Sequence, residues 1–73
     1  MIRRFHLSRE EDVSGVSGTG KVAEGVEFSG GKCAVMFLSH LVGIELWDNV
    51  HAMIGVHGHS GKTKIVWDDP PEE

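Results

Sequence analysis

KVAEGVEFSGGKCAVMFL, residues 21–38, decides how this chain folds. Two runs, KVAEGVEF and KCAVMFL, flank the tripeptide Ser29-Gly30-Gly31. Glycine supplies the left-handed backbone that tight turns need, so the stretch reads as a β-hairpin. With Gly30-Gly31 as a two-residue turn, Val26, Phe28, Cys33, Val35 and Phe37 fall on one face. The other face then carries Ala34, Met36 and Leu38 opposite Glu27, Gly25 and Ala23. The second run is thus apolar on both sides. Such a strand is either covered by another layer or exposed for a partner. One face suffices for an interior, so Ala23, Gly25, Ala34, Met36 and Leu38 form a candidate interface, expected to join two copies in a two-fold homodimer.

Working outward, several segments keep the same period of two, the mark of a half-buried strand. RFHLS sets Phe5 and Leu7 against His6 and Ser8, and GIELW is a further short strand. EEDVSGVSGTG is a polar, glycine-rich loop. DNVHAM fits a single helical turn with Asp48 as its N-cap. IGVHGH and KTKIVW read as a last hairpin about Ser60-Gly61. The expected fold is all-β, a small barrel or sandwich of five to six short antiparallel strands with at most one or two helical turns, and an SH3-like layout would suit it. Phe5, Leu7, Val26, Phe28, Val35, Ile44, Leu46, Ile54, Val56, Ile65 and Trp67 are expected inside. Residues 1–67 make one domain, and 68–73, DDPPEE, read as an acidic, poorly ordered tail.

A chain of 73 residues has a small core and few ways to add to it. Cys33 is the only cysteine, so no disulfide forms within the chain, and a lone thiol fits a reducing compartment. MIRRFHL is too short in its apolar part for a signal peptide, which makes the cytoplasm the expected location. Seven basic and eleven acidic side chains give a formal charge of −4, unfavourable for gripping a phosphate backbone. A nucleic-acid accessory role through Arg3, Arg4, Lys62 and Lys64 is accordingly the weakest functional reading.

The last hairpin carries the main alternative. In the Ser60-Gly61 register His59 faces Lys62 and His57 faces Lys64. Two histidines at i and i+2 share a strand face and can reach one metal ion. The lysines opposite make the site poor for a cation and better suited to an anion. His57, His59, Lys62 and Lys64 are therefore a candidate anion patch, with a solvated hairpin tip as the plainer reading and no metal expected. GVSGTGKV, residues 15–22, has the glycine and lysine spacing of a phosphate-binding loop, but Val22 stands where Ser or Thr would hold magnesium, and a strand follows where a helix is required. Ser14, Ser17, Cys33 and five histidines are raw material for nucleophilic catalysis, yet no spacing arranges them. Cys33 lies in an apolar strand and reads as a small buried thiol. Trp47 and Trp67 each end a strand beside an acid and are expected to close the core.

Residues 4–28, RFHLSREEDVSGVSGTGKVAEGVEF, and the end VHGHSGKTKIVW resemble a group of short prokaryotic and phage-borne proteins. Its members share RFHLxRxEDVSGVSGTGxVAEGVxF and HGHxGxTxxVW. The resemblance covers most of the chain and implies no activity and no catalytic residue. It marks the long glycine loop as a family feature. In that group the middle strand carries a charge where this chain has Met36. The sequence reading is a non-enzymatic binding or assembly module without a cofactor.

Overall fold

A computed structural model of the chain describes residues 1–10, 20–39, 43–58 and 61–71. It contains β1 (Arg3–Arg9), β2 (Gly20–Glu27), β3 (Cys33–Phe37), β4 (Glu45–Trp47), α1 (Val50–His57) and β5 (Thr63–Trp67). The five strands form one antiparallel sheet in the order β4-β3-β2-β1-β5, with α1 packed on one face. The expected short antiparallel strands are present, but the sheet stays open. β4 and β5 are its two edges, so the arrangement is a helix layer on a sheet rather than a closed barrel.

The β2–β3 hairpin turns through three residues, not two. Phe28 N–H donates to Lys32 O and Gly31 N–H donates to Phe28 O, with Gly31 at φ +98°. This is a turn closed by a left-handed residue, and only glycine adopts that conformation without strain. The extra turn residue moves the register by one, pairing Gly25 with Val35 and Val26 with Ala34. A one-residue slip sends every side chain of one strand to the opposite face. The inner face therefore holds Cys33, Val35 and Phe37 beside Ala23 and Gly25, and the outer face holds Ala34 and Met36 beside Val26 and Glu24.

Inside, Phe5, Leu7, Val22, Ala23, Cys33, Val35 and Met53 are buried, with Phe37, Trp47, Val50, Ile54, Ile65 and Trp67 packed around them. Gly25 is essential to this packing. The Phe5 ring lies directly over it, and a β-carbon there would overlap the ring. Phe5 also meets Trp67 edge-on, ring centres 5.3 Å apart. Between Leu7 and Ser8 the pairing slips, leaving Val22 as the extra residue of a β-bulge on β2, which lets both Val22 and Ala23 face inward.

The largest departure is residues 50–57. The expected strand 54–59 is a helix as far as His57, and residues 59–60 lie outside the described residues. Asn49, not Asp48, is its N-cap, accepting from Ala52 N–H at 2.8 Å. Val50, Met53, Ile54 and His57 recur at i, i+3, i+4 and i+7, the spacing of one helical face. Val56 consequently points away and is exposed, as are Phe28, Ile44 and Leu46, all expected inside, while Val26 is half-buried. Asp68 and Asp69, the first two residues of the stretch 68–73, are tied to β1. Asp68 N–H donates to Arg4 O, and Asp69 is held by the Arg4 side chain and backbone.

Candidate interaction surface

The outer face divides into two halves. Over β2, β3 and β4, the pairing of Val26 with Ala34 and Ala34 with Leu46 makes an apolar row, and Met36 stands in the next row beside Glu24. Leu46 is 78% exposed and Ile44 65%. Glu24, Val26, Ala34, Met36 and Ile44 line an open depression of about 250 Å³. Over β1 and β5 the same face is ionic. Arg4 Nη2 and Nε donate to the two oxygens of Asp69 at 2.7 and 3.0 Å. His6 Nδ1 lies 2.9 Å from Asp68. Lys64 pairs with Glu10, and on neighbouring β2 Lys21 pairs with Glu24. Arg4, donating from both its guanidinium and its backbone N–H, holds the Asp69 carboxyl down at about 2.

The candidate interface read from the sequence is split by the register. Ala34 and Met36 are on the outer face, Ala23 and Gly25 are on the inner face beneath Phe5 and α1, and Leu38 lies half-buried just beyond β3. Val26, Ile44 and Leu46 take their place. Their signal in the sequence is the adjacency of Leu46 and Trp47: neighbours in a strand face opposite ways, and the larger ring takes the core.

The candidate anion patch is not assembled as drawn. His57 ends α1 on the inner side, its ring 4.8 Å from that of Phe37 and 5.6 Å from that of Trp47. Its Nε2 lies 2.8 Å from Glu45 Oε1, which also accepts from Trp47 Nε1. Lys64 projects from the outer face beside Ser8, Lys62 lies in the turn before β5, and His59 is outside the described residues. His57 and Lys64 are therefore on opposite sides of the sheet. The glycine loop EEDVSGVSGTG spans residues 10–20: Glu10 follows β1, Gly20 opens β2, and residues 11–19 lie outside the described residues. Among the described residues no group of three or more His, Cys, Asp or Glu is placed to hold a metal ion. No helix among them is long and apolar enough to cross a membrane.

Two inner-face features escaped the sequence reading. Arg9 is buried at the end of β1, its Nε donating to the buried Thr63 Oγ1 at 2.8 Å, and its Nη1 has no hydrogen-bond partner among the described residues. Arg3 stacks its guanidinium 3.8 Å above the Trp67 ring. Cys33 is the buried thiol that the apolar strand implies, and burial, with Glu27 nearby, pushes its pKa up.

No curated protein and no solved structure matches the chain. A family model described as Acb5 phage protein matches it over residues 2–69, from the start of β1 to the aspartates that close on it. Nearly the whole folded unit is covered, and the chain belongs to the Acb5 phage protein family.

Proposed function

We propose that this phage protein is a non-enzymatic binding or assembly module that works through the outer face of β2, β3 and β4. The observation that carries the reading is the apolar row Val26–Ala34–Leu46 with Met36 and Ile44 beside it, Leu46 standing 78% exposed. Exposed apolar surface gathered in one place, bordered by paired charges, is the signature of a contact surface. Two of the chain's nucleophile and base candidates support the same reading. The Cys33 thiol is buried and held in its neutral form, and His57 is packed between rings and engaged by Glu45. We place its action in the cytoplasm of the infected cell, where a single cysteine remains a thiol.

A photo-crosslinking residue at position 46, compared with one at position 56, tests this in infected cells. Val56 is 61% exposed on α1 and serves as a control of similar accessibility. Adducts at 46 and none at 56 are expected. No adduct at 46, or equal adducts at both, overturns the reading.

A further inference from the structure

The apolar band needs a cover, and the described residues narrow what that cover can be. Exposed Arg4, Lys21, Lys32 and Lys64 each lie within ion-pair distance of a carboxylate, of Asp69, Glu24, Asp48 and Glu10 respectively. These residues thus offer no uncompensated cationic rim for a phosphate backbone or an anionic membrane surface. The depression is open and about 250 Å³, below the size of pockets that enclose small molecules, roughly 300–1,000 Å³. A flat apolar sheet face is best met by another such face, packed about 10 Å away with interdigitating side chains.

We propose that the cover is the same band of a second copy of this chain, the two sheets packed face to face about a two-fold axis. The inference rests on the reading of the outer face as a contact surface. A two-fold contact brings each residue against the same surface, so the band must complement itself. It carries both parts of such a fit. Leu46 projects, while half-buried Met36 walls and Ala34, between Val26 and Leu46 in the register, floors the depression into which a partner's side chain can drop. An axis through the band leaves the charged β1–β5 halves at its margins. Arg4 with Asp69 and Lys64 with Glu10 are already paired there within each chain, as are Lys21 and Glu24 on β2 beside the band, so association strands none of these charges. A standard interface takes about 800 Å² from each partner. That is about a sixth of this molecule's 4643 Å², and one broad face of a two-layer molecule can supply it.

Charge gives this association a signature. Each copy carries a formal charge of −4, so two copies repel weakly while their apolar bands attract. Added sodium chloride screens that repulsion and tightens the dimer, whereas a contact driven by opposite charges loosens.

Sedimentation equilibrium over a concentration series, on the wild type and on Met36→Lys, Leu46→Glu and Val56→Glu, decides the matter. The wild type is expected to dimerise, more tightly at high salt. Met36→Lys and Leu46→Glu should each raise the dimer dissociation constant by at least about tenfold, the cost of one charge facing an apolar band. Val56→Glu should leave it unchanged, and far-ultraviolet circular dichroism should show all three folded. A wild type that is monomeric at every concentration, an equal effect of Val56→Glu, or weakening by salt overturns the proposal. Because the wild-type series alone decides, a variant that fails to fold does not rescue it. A monomer that still crosslinks to another protein through position 46 ends the dimer and spares the contact surface; a monomer with no such adduct ends both.

Discussion

On the inner face of the sheet Phe5, Leu7, Cys33 and Val35 lie buried beneath α1, while on the outer face Val26, Ala34, Met36 and Leu46 stand in the same sheet with no layer over them among the described residues. β3 supplies residues to both sides, and the two sets differ little in hydrophobicity. What separates them is position. The inner side chains pack with Met53, Ile54 and each other, and none of the outer ones belongs to that cluster. Apolar character alone does not make a core; the helix that lands on one face does. Substitutions on the two faces should therefore differ sharply in cost. In a Met36→Lys background, which keeps self-association out of the measurement, Phe5→Ala is expected to cost about 3–5 kcal/mol in urea denaturation. Leu46→Ala should stay within about 0.5 kcal/mol. Equal costs would mean that the outer face is covered within a single chain.

Gly25 lets that comparison be sharpened. It belongs to the inner face only because the three-residue turn sets the register, and the Phe5 ring occupies the space its side chain would fill. Gly25→Ala should destabilise by about 1–3 kcal/mol through overpacking. Adding Phe5→Leu, which withdraws the ring, should make the double variant less destabilised than the two single costs combined. Strict additivity in this pair would break the assignment of Gly25 to the inner face.

The same residue shows how far the sequence can be read. Strand identity in 21–38 is plain from the period of two and the glycines. The register is not, because Ser29-Gly30-Gly31 accommodates both a two-residue turn and the longer one, and the choice lies in the backbone of Gly31. The candidate interface split for that reason alone: Ala34 and Met36 were legible as a surplus face, while Ala23 and Gly25 were carried to it by the wrong register. In 50–57 two periodicities compete. Ile54 and Val56 alternate like a strand, whereas Val50, Met53, Ile54 and His57 repeat like a helix. The Asn49 cap and the packing of Met53 favour the helix, which carries His57 to the face of the sheet opposite Lys64. Arg9 was not legible at all, because a buried arginine has no local pattern to mark it.

Arg9 is also where the inner face departs from an apolar core. Removing one member of a buried hydrogen-bonded pair strands the other, while replacing both with apolar groups of similar shape is far less costly. Thr63→Val leaves Arg9 Nε unpartnered among the described residues and should cost about 1–3 kcal/mol. Arg9→Met strands Thr63 Oγ1 instead. The double variant should be more stable than Thr63→Val and close to the wild type. A double variant as unstable as the two single changes combined would show that Arg9 makes a contribution of its own at the end of the sheet.

The smallest effect belongs to the ionic half of the outer face, and its direction follows from Asp69. Arg4 donates to it from the backbone N–H at 2.7 Å and from two guanidinium nitrogens, and the carboxyl is held down from 3.8 to about 2. A carboxyl whose pKa is lower in the folded chain than in the unfolded one binds its proton less readily when folded. Its contribution to stability is fully present above the unfolded value near 3.8 and is lost as pH falls toward about 2. The Arg4 side chain is 72% exposed, so water and salt screen the pair and the contribution is modest. Asp69→Asn should lower the melting temperature slightly at pH 7, and the gap from the wild type should close between pH 4 and pH 2 and shrink with added salt. Thermal melts at several pH values check this directly. Both backgrounds should lose further stability in acid through their other carboxylates, so the informative quantity is the difference between them. A difference that stays constant down to pH 2 would show that Asp69 acts through packing or its backbone contact alone. The polar half of the outer face would then owe its order to β5 pairing with β1 rather than to the charges that line it.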